Sequence, residues 1–419
     1  MIAAESIAAC NEAQLDAHDR ALGHARDVVA DAEAVIDVVA SFSVAAPSWA
    51  LGTGGTRFAR FPVGGEPRTT EEKIDDVAAL NALTGANRTV SLHIPWDDPV
   101  DPAALRTYAA ERGIGFDAMN SNTFQDDPRS GVSYKFGSLA HTDRAVRRAA
   151  VAHNRHVIDV GVELGSRALV VWLADGTNHP GQASFRGQYE RTLEGLREIY
   201  AHMPGDWRLF TEHKPYEPAF YSSVVPDWGT SLLLAQAIGD RAACIVDLGH
   251  HLPNTNVEQV VSRLAMAGRL GGFHFNDSMY GDDDLTVGSV NPFQLFLIFC
   301  ELVDAGAGRP PDVAYMIDQS NNLKDPIEDL IQATDNVQHA LAQSLCVDPD
   351  ALCDAQERND PAGAEDVLRR AFRTDVRPLV AEARRRNGGA IDPVGAFRAL
   401  GYRKAKIAER GRDAVARGL

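Results

Sequence analysis

The residues with the clearest chemical potential stand in four short blocks: Glu212-His213-Lys214, Asp247-Leu248-Gly249-His250-His251, His274-Phe275-Asn276-Asp277 and Asp318-Gln319-Ser320. Carboxylates and imidazoles are ligands for hard and borderline divalent cations, and no thiolate stands among them. Glu212, Asp247, His274 and Asp318, one from each block, form a set suited to Mn²⁺, Mg²⁺ or Co²⁺. A second group offers itself in His250, three residues after Asp247, and in the acidic run Gly281-Asp282-Asp283-Asp284. Asp282 and Asp284, two apart, can point the same way and hold a second ion with His250, while Asp283 faces elsewhere. Taken singly, each residue has a simpler explanation. A carboxylate at a strand end is commonly a helix N-cap, an Asp triplet is commonly a polar turn, and His251 is a packing residue behind the ligands. The coincidence of so many ligand types in matching places favours metal.

Each block follows directly on an apolar run, as at Ile245-Val246 and Met316-Ile317. A short apolar run ending in ligand-type residues is the signature of a buried parallel strand leaving its sheet. Eight such runs recur: 42–45, 89–94, 115–119, 168–173, 207–211, 243–246, 272–275 and 313–317. Segments of helical periodicity separate most of them, among them 142–164, 188–202, 231–238, 257–267 and 292–303. That alternation predicts an α/β chain folded as a (β/α)₈ TIM barrel. The competing open sheet would want a GxGxxG turn after its first strand; Gly52-Thr53-Gly54-Gly55-Thr56 lacks that spacing. Barrel active sites lie at the C-terminal strand ends. The residues expected there are Trp49, His93, Trp96, Asn120, Asn122, Phe124, Trp172, Asp175, Glu212, Lys214, Asp247, His250, His274, Asp277, Asp318 and Ser320. The expected organisation is an N-terminal helical extension over 1–40, a catalytic barrel over 41–325 and a C-terminal helical region over 326–419 that packs subunits. The Arg-rich helices at 364–386 and 394–417 carry interspersed acids and read as solvated faces rather than a site for an anionic partner.

The formal charge of −17 over 419 residues argues against nucleic acid and anionic membranes as partners, because both require clustered cations. Five scattered cysteines with no C-x-x-C pair fit reduced thiols in the cytoplasm. The start of the chain lacks a secretory pattern, and no apolar run approaches the length of a membrane span.

Longer blocks carry a family resemblance. They are Pro47-Ser48-Trp49, the loop Gly52 to Phe61, Ser91 to Trp96, Phe116 to Phe124, Glu212 to Lys214, Val246 to His251, Gly272 to Asp277 and Met316 to Ser320. Across nearly the whole chain the sequence resembles the bacterial L-rhamnose isomerases, of the branch accepting several aldoses. The resemblance implies a barrel related to xylose isomerase, a homotetramer, and two divalent ions per subunit, commonly Mn²⁺, with Co²⁺, Mg²⁺ or Zn²⁺ as alternatives. It assigns Glu212, Asp247, His274 and Asp318 to a structural ion and His250, Asp282 and Asp284 to a catalytic one. Trp49, His93, Phe124, Trp172 and Lys214 match the substrate pocket, and Phe58 matches an aromatic lent to a neighbouring subunit's site.

The expected reaction interconverts an aldose and a ketose, L-rhamnose and L-rhamnulose first, with L-mannose, L-lyxose and D-allose as further substrates. Metal ions favour a 1,2-hydride shift over an enediol by stabilising the alkoxide at O2. Asp318 anchors an ion, Lys214 supports O1, His93 assists ring opening and Asp284 serves the proton transfer between O1 and O2. Lys214 could instead pair with Glu217. Rivals are a sugar epimerase, an isomerase of another aldose, a metal-dependent hydrolase and a non-catalytic sugar-binding protein. The second ligand group speaks against the epimerase and the acidic charge against a nuclease.

Overall fold

The computed structural model describes residues 2–52, 61–127, 130–216, 222–320 and 323–412. Ten short strand segments run through it: β1 Ala46–Pro47, β2 Thr89–Ser91, β3 His93–Ile94, β4 Gly115–Phe116, β5 Met119–Asn122, β6 Ala168–Trp172, β7 Arg208–Glu212, β8 Ala242–Asp247, β9 Leu270–Phe275 and β10 Ala314–Ile317. All their pairings are parallel, in the orders β10-β9-β8-β7-β6-β5-β3 and β1-β2-β4. β2 and β3 are one strand interrupted at Leu92, and β4 and β5 are one strand interrupted at Asp117 and Ala118. The two ladders are therefore one sheet of eight strands. It closes where Ala45 bridges Met316: the Ala45 amide donates to the Tyr315 carbonyl (2.8 Å), and the Ile317 amide to the Ala45 carbonyl (3.0 Å). The alternation of strand and helix thus produces the closed barrel expected of it.

Eight helices follow the eight strands in turn: Thr70–Thr84, Pro102–Ala110, Arg144–Leu164, Phe185–His202, Trp228–Ile238, Val257–Met266, Pro292–Ala305 and Pro326–Ser344. Local chemistry sets their starts. Asp143, Ser184, Asp227 and Asn256 each accept a backbone amide of the first turn, a cap contributing about 1 kcal/mol. The main core lies between these helices and the outward strand faces. A second, small core fills the barrel: Ala45, Ala118, Val170, Phe210, Ala243, Ile245 and Met316. Phe210 is its one aromatic side chain. A Cβ on Gly271 would stand 2.6 Å from the Phe210 ring, so glycine is what lets that ring fill the interior.

Several expected boundaries move. The first strand falls at 45–47 rather than 42–45, because Phe42 ends the preceding helix and packs outward on Tyr315 and Phe299, with centroids 4.8 and 6.0 Å away. The expected N-terminal extension, described from residue 2, forms three helices, Ala4–Glu12, Leu15–Val28 and Ala32–Ser41. The expected helix 364–386 divides into Pro361–Arg373 and Arg377–Arg386 at the extended Thr374. The expected helix 394–417 divides into Pro393–Ala399 and Tyr402–Arg410 at Gly401 (φ 64°); residues 413–417 lie outside the described residues. The arginines of this region pair internally: Arg410 with Asp76 (2.9 Å), Arg403 with Asp325 (2.6 Å) and Arg398 with Glu328 (2.8 Å). No described helix is long and apolar enough to cross a membrane.

Candidate metal centre and active site

Strand alternation carries the small interior core directly into the site. Side chains two apart share a face, so inward Phe210 leads to Glu212, Ile245 to Asp247, Gly272 to His274 and Met316 to Asp318. These four residues each offer a ligand atom within 4.8 Å of the others. His274 Nδ1 lies 3.1 Å from Glu212 Oε1, 3.6 Å from Asp318 Oδ2 and 3.8 Å from Asp247 Oδ2. A second group, Asp247, His250 and Asp282, meets the same criterion. His250 Nε2 stands 3.4 Å from Asp282 Oδ2, and its Nδ1 stands 3.2 Å from Glu212 Oε1. Asp247 thus belongs to both groups, a sharing that its strand-end position did not announce. Asp284 sits in the wall of the same cavity with φ 50°, a conformation an Asp tolerates better than most residues. Asp283 turns away and accepts from the Met279 and Tyr280 amides (2.6 and 2.8 Å).

The charges need a cation. Two carboxylates about 4 Å apart repel by about 4 kcal/mol even at an effective dielectric of 20, and this cluster is buried. Without a cation, protons must take its place. Burial pushes the Asp247 carboxyl up, and Glu212, Asp282 and Asp318 add to the rise beyond what His250 offsets, bringing it to about 7. Burial also raises Asp318. Glu212 is driven up by burial too, but the imidazoles of His274 and His250 outweigh this and hold it below the ordinary carboxylate range. His274 would lose its proton on burial, yet Glu212 and Asp318 raise it to about 9. Burial acts on His250 likewise, and Asp247 and Asp282 reverse it. Three carboxylates with imidazoles, drawn this close and short of positive charge, fit a divalent ion, and the second group fits another.

Opposite stands an aromatic wall. Ring contacts run from His93 to Trp96 (5.9 Å), Trp96 to Phe124 (5.8 Å), Phe124 to Trp172 (4.6 Å) and Trp172 to His250 (6.5 Å). Trp49 joins wall to ligands, its indole N–H donating to Asp318 Oδ1 at 2.6 Å. Burial pushes His93 down to about 3, so its imidazole is neutral at pH 7. Lys214 Nζ donates to Asp282 Oδ2 at 2.5 Å and stands 5.1 Å above the Trp172 ring. Asn120, Ser121 and Asn122 complete the floor.

Other expected rim residues do different work. Asp175 accepts from the Ser138 and Ala140 amides (both 2.7 Å) and holds the loop ahead of Arg144–Leu164. Asp277 accepts from the Val290 and Asn291 amides (2.7 and 2.8 Å) at the start of Pro292–Ala305. The Ser320 amide donates to the Asp284 carbonyl at 3.2 Å. The rings of His251 and His213 meet edge to face at 4.8 Å, behind the ligands. Phe58 and Glu217 lie outside the described residues. Two contributors went unforeseen, Ser121 in the floor and Asn276 behind the ligands. Asn276 donates to Asp247 Oδ1 (2.9 Å) and to the Asp318 carbonyl (3.2 Å), tying two ligands together. Its spacing of two from His274 was the available signal.

Comparison with known proteins points to the same fold. A family model described as a xylose isomerase-like TIM barrel matches residues 81–304. A "probable sugar isomerase" of Rhizobium meliloti (strain 1021) is 55% identical over 390 residues, covering 93% of this chain and 90% of the relative. Another of that name, from Mesorhizobium japonicum, is 56% identical over 380 residues, covering 90% and 88%. A xylose isomerase of Thermus thermophilus is 26% identical over 283 residues, covering 62% and 69%.

Proposed function

The chain belongs to the xylose isomerase-like TIM barrel family, and from that premise we propose that it is a metal-dependent aldose–ketose isomerase that converts L-rhamnose to L-rhamnulose. Its support is one observation: two ligand groups sharing Asp247 face an aromatic wall across a single cavity. A sugar needs both, polar chemistry for its oxygens and flat apolar surface for its carbons. The methyl group of a 6-deoxy sugar suits such a wall, and L-mannose, L-lyxose and D-allose are the further candidates.

Glu212, Asp247, His274 and Asp318 would hold one divalent ion and Asp247, His250 and Asp282, with Asp284 beside them, a second, Mn²⁺ foremost. Such ions, when bound, polarise a carbonyl and stabilise the alkoxide that develops beside it. The neutral His93 imidazole exchanges a proton with the anomeric hydroxyl and opens the ring. Lys214 donates a hydrogen bond to O1. Asp284 passes a proton from O2 to O1 while hydride moves from C2 to C1. Trp49, Phe124 and Trp172 keep water from the reacting carbons, and Asn276 keeps Asp247 and Asp318 in register. The working form is a homotetramer in which Phe58 completes a neighbour's site.

The test is L-rhamnose deuterated at C2. Deuterium retained at C1 of the ketose is the expected result; its exchange into water would replace the hydride shift by an enediol. Conversion of ketoses at C3, with aldoses untouched, would make the protein an epimerase instead.

A further inference from the structure

One buried carboxylate at the mouth of the aromatic wall takes no part in the chemistry above. Asp97 is 1% exposed and spends both oxygens on the chain around it. Its Oδ2 accepts from Ser48 Oγ (2.5 Å) and from the His93 amide (2.9 Å); its Oδ1 accepts from Lys73 Nζ (2.6 Å). The Asp97 amide donates back to the His93 carbonyl at 2.8 Å, so a single residue grips the His93 backbone on both sides. On the β1 side sheet pairing ends at this point, while β3 still pairs with β5 at His93 and Asn120. β1 pairs with β2 only as far as Pro47 and Ser91, and β3 is two residues long. The Asp97 side chain adds a link between the two strands just past their last backbone bond, from the Ser48 amide to the Ser91 carbonyl (3.0 Å).

What it grips is specific. Ser48 immediately precedes Trp49, whose indole reaches the Asp318 carboxylate. The His93 ring stacks near Trp96, and its buried Nδ1 has no hydrogen-bond partner among the described residues, so that nitrogen does nothing to aim the ring. The backbone must do more of the aiming.

We propose that Asp97 is a positioning residue: by accepting from Ser48 and His93 it sets Trp49 and His93 at the angles from which they meet the sugar. The proposal rests on the isomerase assignment of this cavity. The competing account makes Asp97 only the counter-ion of Lys73, whose side chain is 11% exposed, with stability its sole contribution.

Two double variants separate these accounts, because both remove the ion pair. In Lys73→Met with Asp97→Asn, the amide oxygen still accepts from Ser48 and His93 while its NH₂ turns toward the methionine. In Lys73→Met with Asp97→Ala, the acceptor is gone. With the aldose that the wild type converts best, the Asn variant is expected to keep kcat within about three-fold and the Ala variant to lose roughly thirty-fold, since about 1 Å of misplacement costs on that scale. Mn²⁺ affinity by calorimetry should stay within about two-fold in both, as no proposed ligand is touched. Equal kcat in the two variants would overturn the proposal. Should the Ala variant fail to fold, Ser48→Ala removes one arm alone. It is expected to lower kcat about five-fold while the melting temperature falls by only a few degrees, and wild-type turnover would overturn the proposal. If the wild type converts no aldose, the isomerase assignment fails separately. Crystal structures of the double variants then decide: Trp49 and His93 displaced only in the Ala variant supports positioning, and unmoved rings refute it.

Discussion

From Glu212 at the end of β7 to Asp318 just past β10, the rim is charged, and its strands run four to six residues in unbroken register but for one irregularity at Cys244 and Ile245. From Trp49 to Phe124 it is aromatic, and its strands come in segments of two to four residues, with the last ring of the wall, Trp172, at the end of the five-residue β6 between the halves. The charged half draws its precision chiefly from the sheet: alternation sends four ligands to one point, and Asn276 ties two of them. The aromatic half draws its precision from side-chain bonds such as Trp49 to Asp318 and Asp97 to His93. The division suits the tasks. Ligands for an ion must converge closely, whereas a wall for a sugar must follow the sugar's shape, and irregular backbone allows that.

The largest test of the contrast is Asp247→Ala. Because both ligand groups share this carboxylate, its loss removes about 4 kcal/mol or more of charge stabilisation, on the order of a 10³-fold fall in kcat/KM. Calorimetry should show two metal sites weakened together; one site surviving intact would undo the sharing. Lys214→Ala comes next, with a fall in kcat of about 10²-fold from the loss of one oxyanion donor. Metal affinity should change far less, and equal losses in both would make Lys214 a scaffold for Asp282.

A pH series sharpens the charged half further. His274 is held up at about 9 and Asp247 at about 7, so protons compete for ligand atoms that an ion needs bare. Mn²⁺ affinity should therefore fall by up to roughly ten-fold per unit as pH drops below 9, and by up to roughly a hundred-fold per unit below 7 where a second proton competes, with protons released on binding. A flat profile from pH 8 to 6 would contradict that competition. The smallest effect belongs to the wall. Trp172→Ala should raise KM roughly ten-fold through lost ring contact, with metal affinity unchanged. A kcat loss as large as that of Lys214→Ala would place Trp172 in the chemistry itself.

The contrast also explains what the sequence disclosed. The later strands were legible because apolar runs such as Ile245-Val246 lead straight into ligands, and parallel barrel topology brings consecutive strand ends together. Asn276 was missed because an amide between His274 and Asp277 carries no charge to draw notice, although alternation placed it inward. Asp277 and Asp175 were expected at the rim from their place after the strands, and only tertiary contacts show them fastening loops. Among the early strands, Phe42 was assigned to a strand on its apolar character, which in fact serves the outer helix layer. Asp97 lay one residue past the block Ser91 to Trp96 and gave no local sign that it accepts from Ser48, forty-nine positions earlier.

The most direct test of the central claim is an isomerisation assay on L-rhamnose with the EDTA-treated protein, before and after Mn²⁺ is restored. The account predicts no ketose without metal and L-rhamnulose once it is added. Conversion undiminished by EDTA, or silence across L-rhamnose, L-mannose, L-lyxose and D-allose with metal bound, would contradict it.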